Sequence, residues 1–171
     1  MALAQPRTVD DLLNYRLSRL LAASGAMITL LCEGRYGITR REWRVIALLA
    51  AHGAMSPSEL AERAHMPRPR VSRLVTDLVE RRLVRREPVP QDGRRARLEL
   101  SESGQALYAE LFPQSVHFTR EVLGALTPAE LSAFDAALEK LTVNAERIAA
   151  LRPVPEKADR QHGGGRRLRP R

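Results

Sequence analysis

The chain of 171 residues has a single cysteine, Cys32, so no disulfide framework can brace it. A lone thiol fits a reducing cytoplasm. Long hydrophobic runs are also missing. The most apolar stretch, Leu20 to Cys32, is 13 residues long and contains Ser24, Gly25 and Thr29. A membrane span needs about 20. Met1-Ala2-Leu3-Ala4-Gln5-Pro6 lacks the basic segment and apolar core of a secretory signal. There is no glycine-rich phosphate loop and no cysteine pair, and His52, His65, His117 and His162 stand without ligand-like spacing. These absences point away from an enzyme, a metal, a cofactor or a membrane protein. The length suits one soluble domain with extensions, large enough to bury a core.

What the chain does carry is positive charge, unevenly placed. The formal net charge is +8. Residues 63–97 hold 11 Arg against 4 acids, residues 152–171 hold 7 basic against 2 acidic, and residues 98–151 come to −5. Concentrated basic charge is the footprint of a nucleic-acid-binding module. A merely solvated face would explain the charge but not its coincidence with a motif.

The motif runs from Ser56 to Leu100. Ser56-Pro57-Ser58-Glu59 is a capping box with proline at the first helical position. Leu60, Ala61 and Ala64 share one side of the short helix that follows, and His65-Met66-Pro67 breaks it. A second helix carries Val71, Leu74, Val75, Leu78 and Val79 as a buried stripe, with Arg68, Arg70, Ser72, Arg73 and Thr76 on its other face. Two short helices of this kind make a helix-turn-helix. Leu83–Glu87 and Ala96–Leu100 then alternate as strands around a turn-rich loop, Pro88 to Arg95, forming a wing.

These segments resemble the MarR family of bacterial transcriptional regulators. The wing matches the family pattern through Asp92, Arg94, Leu98, Leu100 and Ser101, with Gly104 following. Ile38 to Ile46 and Glu59-Leu60-Ala61 match upstream, and the similarity covers roughly residues 9–150. One position departs: the family often has Gly where this chain has Arg82, which predicts a locally different exit from the second helix. The resemblance implies a mainly α fold with a small β wing, in which a winged helix-turn-helix is flanked by N- and C-terminal dimerisation helices. The expected divisions are 1–36 for the N-terminal dimerisation helix, 37–101 for the DNA-binding domain, 102–151 for the C-terminal dimerisation helices and 152–171 for a disordered basic tail.

The flanking residues read accordingly. Thr8-Val9-Asp10-Asp11 opens one long helix with Leu12, Leu13, Leu17, Leu20, Leu21, Met27, Ile28 and Leu31 on a face wide enough for subunit contact. Thr39-Arg40-Arg41-Glu42 caps the next helix, whose core is Trp43, Val45, Ile46, Leu48 and Leu49, and His52-Gly53 closes it. Met55 is expected as a brief strand against the wing. A helix from Glu102 to about Gly124 should kink at Pro113. Thr127-Pro128-Ala129-Glu130 caps the last one, with Leu131, Phe134, Leu138 and Leu141 inward. A two-fold dimer would then present two recognition helices to a palindromic operator.

Each candidate has a role and an alternative. Arg68, Arg70, Ser72, Arg73 and Thr76 suit base and phosphate contacts in the major groove, a structural or phosphate-only role being the alternative for one of them, Arg73 first. Arg94 or Arg95 suits the minor groove, and Asp92 is placed to orient an arginine. Cys32 reads as a packing residue; the alternative is a single-cysteine redox sensor. The tail suits phosphate contacts or solubility alone. From the resemblance comes a small aromatic carboxylate effector, 6-hydroxynicotinate being the particular type suggested by the Leu12–Leu17 and Gly37–Arg44 segments. Tyr15, Arg16, Arg19, Arg41, Trp43, His52 and His117 are its candidate ligand residues, against a reading of them as surface charges and core aromatics. The function these readings imply is a homodimeric repressor that binds double-stranded DNA. A sensor acting by protein contact without DNA is the competing class.

Overall fold

The computed structural model describes residues 3–89 and 92–151, with the side chains of all of these except 89 and 92–95. The expected tail, 152–171, lies outside the described residues. The chain divides into two units after Gly124.

The first unit begins with a capped turn that does not grow into the expected long helix. Asp11 Oδ2 accepts the Thr8 N–H at 3.0 Å, but the turn stops after Val9–Asp11 because Leu12 is extended (φ −69°, ψ 133°). Helix α1 then spans Leu13–Ser24 and α2 spans Ala26–Leu30. A π-helical turn, Leu31–Arg35, follows. α1 and the segment to Arg35 meet at 46° around Gly25. A Cβ at Gly25 would overlap the Arg40 guanidinium, so the glycine at this bend leaves room for a side chain from the next helix. No single helix among the described residues is long and apolar enough to cross a membrane.

Helix α3 (Arg40–His52) starts at the Thr39–Glu42 capping box and ends at Gly53, whose φ of 73° favours glycine. Helix α4 (Pro57–Arg63) starts at the Ser56–Glu59 box. Helix α5 covers Arg68–Glu80. Strands β1 (Val84–Val89) and β2 (Asp92–Leu100) pair antiparallel, with Val84 opposite Leu100 and Val89 opposite Asp92. The hairpin connection is therefore shorter than the Pro88–Arg95 loop read from the sequence, because a shift in register at Pro88/Val89 lets the strands continue. Met55 bridges Leu98 through two backbone hydrogen bonds, 3.1 and 2.8 Å, as expected.

Helix α6 (Glu102–Leu123) runs unbroken through Pro113. The proline and Ala109, whose carbonyl it leaves unpaired, are both exposed, so water can satisfy that carbonyl and the helix need not end there. Ile38, just before α3, is fully buried together with Ile46, Leu60, Leu78, Leu98 and Leu111, one each from α3, α4, α5, β2 and α6. Each such side chain contributes roughly 1.5–3 kcal/mol.

The second unit is helix α7 (Pro128–Leu151), capped by Thr127 and Glu130. Its expected inward stripe is exposed in the single chain: Leu131 is 37 % exposed, Phe134 39 %, Leu138 41 % and Leu141 47 %. Helical periodicity announces a face to be covered without saying which chain covers it. On α1 and α2, Leu13, Leu17, Leu20, Leu21, Met27 and Leu30 are exposed in the same way.

Candidate nucleic-acid interface

The turn between α4 and α5 is built by backbone hydrogen bonds. His65 takes a left-handed φ of 51°, the His65 N–H donates to Glu62 O, and the Met66 N–H donates to Ala61 O, both at 3.0 Å. This paired closure is a Schellman motif, which normally favours glycine at the left-handed position. Pro67 then starts α5, its carbonyl accepting the N–H groups of Arg70 and Val71 at 2.9 and 3.1 Å. No side chain caps this helix. Pro67 and Pro69 also supply no N–H, so side chains rather than backbone face a ligand here.

α5 divides cleanly. Val71, Val75 and Leu78 are buried, at 0, 4 and 0 % exposure. Arg68, Arg70, Ser72, Arg73 and Thr76 are all exposed on the other side. Thr76 Oγ1 donates to Ser72 O at 3.0 Å, which fixes that hydroxyl and leaves its lone pairs outward. Among the described residues, none of Arg68, Arg70 and Arg73 is in a salt bridge.

The exit from α5 is a second Schellman motif. Arg82 N–H donates to Val79 O and Leu83 N–H to Leu78 O, each at 2.9 Å, with Arg82 at φ 58°. The different exit predicted from the absence of Gly is thus not found: Arg82 adopts the left-handed conformation itself, because the two hydrogen bonds and the strand that follows over-determine it.

The wing is anchored along its base. Val84, Leu98 and Leu100 point inward, Arg85 pairs with Glu99 across the strands at 2.9 Å, and Arg97 Nη2 donates to Ala54 O at 2.9 Å. Asp92, Arg94 and Arg95 begin β2 rather than lying in a loop; their side chains are outside the described residues.

One connection had no local signal. Glu42 is 6 % exposed, and its Oε1 lies 3.3 Å from Nη1 of Arg81, the C-cap of α5. The capping box identifies Glu42, but its partner stands 39 residues away.

The candidate ligand residues are not gathered into one place. Tyr15, Arg16 and Arg19 are exposed on α1, Arg19 within 3.8 Å of Asp10. Trp43 stacks on Tyr108 at 5.8 Å, and Tyr108 stacks on Phe112 at 5.0 Å. His117 tilts against Phe118 at 5.5 Å, and His52 is exposed at the end of α3. Arg41 lines a cavity of about 340 Å³ with Arg40, Arg44 and Thr39. A second cavity, about 230 Å³, lies between Gly25, Arg40 and Phe118. A third, about 420 Å³, lies behind the wing between Leu49, Arg85 and Tyr108. Of the seven candidates, only Arg41 lines any of these three.

Cys32 is fully buried, and burial pushes its thiol up from the ordinary value, with Arg40 pulling the other way. A buried thiol with a raised pKa is a poor nucleophile. Among the described residues no group of three or more His, Cys, Asp or Glu side chains is placed to hold a metal.

Residues 36–95, which hold α3 to the wing, match the sequence profile of the MarR family. The chain is similar to the HTH-type transcriptional regulator FarR of Neisseria gonorrhoeae, 38 % identical over 74 residues, which are 43 % of this chain and 51 % of that protein. The match therefore spans about half the length of that relative. It is also similar to the homoprotocatechuate degradative operon repressor of Escherichia coli, 28 % identical over 62 % of this chain and 72 % of that protein. In fold it is similar to BpsR of Bordetella bronchiseptica, described for regulation of DNA binding by 6-hydroxynicotinic acid, with a TM-score of 0.71 and 23 % identity over 80 % of this chain and 97 % of that one. The helix-turn-helix and the first part of the wing thus lie in the stretch, residues 36–95, that is similar to the MarR family.

Proposed function

We propose that the protein is a homodimeric, sequence-specific DNA-binding repressor whose release from a palindromic operator is driven by a small aromatic acid. The observation that carries the DNA reading is the split of α5: three arginines and two hydroxyls exposed on one face, the core residues on the other. Arg68, Arg70 and Arg73 suit bidentate contacts to guanine, and Ser72 and Thr76 suit phosphate or either base edge. Arg94 and Arg95, at the start of β2, suit the narrow minor groove beside it, with Asp92 orienting one of them. The basic tail suits phosphates without reading sequence.

A dimer is supported by the exposed apolar residues of α1, α2 and α7. Two recognition helices about 34–36 Å apart engage successive major grooves. An aromatic acid seated between the dimerisation helices and the DNA module shifts the population away from that spacing, by no more than its differential affinity for the two states. Arg41, which lines the cavity of about 340 Å³ with Arg40 and Arg44, suits the carboxylate. The names of the Escherichia coli relative and of BpsR make 6-hydroxynicotinate and catechol-type acids the first compounds to try.

Footprinting on fragments of the source genome tests the reading. A protected inverted repeat at moderate salt, lost on adding one of a panel of nicotinates, benzoates and hydroxycinnamates, is the expected result. No protected repeat removes the DNA reading. Release by peroxide alone, and only with Cys32 present, replaces the effector by a redox signal.

A further inference from the structure

Among the described residues four carboxylates serve capping boxes, and they provide an internal comparison. Asp11, Glu42, Glu59 and Glu130 each accept the N–H of the cap residue, at 3.0, 2.6, 2.7 and 2.9 Å. Glu59 and Glu130 are exposed and Asp11 is half-buried, and their hydrogen bonds stay within the first turn and its approach. Glu42 alone of the four is buried, and it alone reaches another helix, using Oε2 for Thr39 and Oε1 for Arg81. Burying a carboxylate is unfavourable unless a partner neutralises it. A glutamine would satisfy the same cap with no buried charge. The cap therefore does not account for the charge, and Arg81 does.

Arg81 is the C-cap of α5, so the ion pair fixes the end of the recognition helix to the start of α3. The other end of α5 is held by the Pro67 carbonyl and the left-handed turn at His65. A helix held at both ends has a fixed angle against its support. That angle decides which side chains meet base edges, whereas phosphate attraction tolerates a swing of several degrees. Taking the DNA reading above as its basis, we infer that Glu42 is the positioning residue of the recognition helix: through Arg81 it sets sequence discrimination rather than affinity for duplex DNA in general.

The test compares wild type, Glu42→Gln, Arg81→Gln and the double variant, each titrated into the footprinted site and into a scrambled duplex of the same length at several salt concentrations. Glu42→Gln should bind the scrambled duplex as wild type does, with the same salt slope. It should lose at least about fivefold in the ratio of specific to scrambled affinity, the lower end of ordinary coupling between sites. Arg81→Gln should lose the same ratio, and the double variant should be no worse than either alone. A Glu42→Gln protein that keeps the wild-type ratio overturns the inference, whether or not its melting temperature falls. Should wild type itself fail to discriminate, the DNA reading is what has failed. The helix linkage is then judged by hydrogen exchange: faster exchange at Arg82 and Leu83 in Glu42→Gln upholds it, and unchanged exchange there ends it.

Discussion

The Ser101 hydroxyl donates to the Arg82 carbonyl at 2.5 Å while accepting the Gly104 N–H at 3.0 Å. One side chain thus caps α6 and clamps the left-handed exit of the recognition helix. This explains why the wing motif ends on a serine: the hydroxyl closes a joint between two helices. The joint holds Arg82 in a conformation that disfavours any residue with a Cβ by about 1–2 kcal/mol. Arg82→Gly removes that strain and gives back part of it as unfolded-state entropy. A net gain of about 0.5–1 kcal/mol in urea unfolding, with m unchanged, is expected. Arg82→Val should lose stability, since a branched side chain tolerates the left-handed region least.

Two buried glycines should respond unequally to alanine. At Gly104 a methyl group would overlap the backbone carbonyl of Leu83, which cannot swing away, and Leu100 crowds it as well. Gly104→Ala should cost about 1–3 kcal/mol. At Gly25 the obstacle is the tip of the Arg40 side chain, which can move. Gly25→Ala should stay within about 1 kcal/mol of wild type, helped by alanine's helix propensity. Denaturant midpoints of the two variants decide this.

Cys32 should behave as a packing residue. A thiol reagent should label it only as fast as the protein opens, and fully in denaturant. Its raised pKa means that the folded protein resists ionisation. Stability is therefore undiminished below the ordinary thiol value and falls as pH rises above it toward the folded value. Cys32→Ala should cost about 1 kcal/mol and flatten that alkaline loss. Rapid labelling of the folded protein at neutral pH would contradict the assignment.

Three of the caps act on the acid side. Backbone N–H groups of Arg7, Ser56 and Thr127 hold Asp11, Glu59 and Glu130 below the ordinary carboxylate values. A lowered folded pKa contributes stability above the unfolded value and loses it as pH falls through the folded one. Glu59→Gln keeps an acceptor for Ser56 but cannot be protonated. Its stability should vary less steeply than wild type below the ordinary glutamate value of 4.5. An unchanged acid slope would show that α4 is not held by this cap.

Local signals were the ones readable in the sequence. The boxes at Thr39, Ser56 and Thr127, the buried stripe of α5, the paired strands and the Met55 bridge each depend on residues a few positions apart or on simple alternation. What stayed hidden depends on distant partners. The packing at Gly25 involves Arg40, the burial of Glu42 needs Arg81, and the place of Trp43 involves Tyr108. The unbroken apolar pattern from Leu12 to Leu31 is the same for a straight helix and a broken one, since periodicity survives a hinge of one residue. Arg82 shows the reverse: the glycine rule names the conformation correctly, but surrounding hydrogen bonds impose it on arginine.

The central claim is that the exposed face of α5 reads bases in the major groove. Dimethyl sulfate protection on the footprinted fragment measures this directly, because the reagent attacks guanine N7 from that groove. Wild type should protect guanines in two half-sites about one helical turn apart. Arg73→Ala or Arg70→Ala should expose a guanine at the same position in both half-sites while the rest of the footprint persists. Guanines that stay equally reactive with and without bound protein would contradict the account.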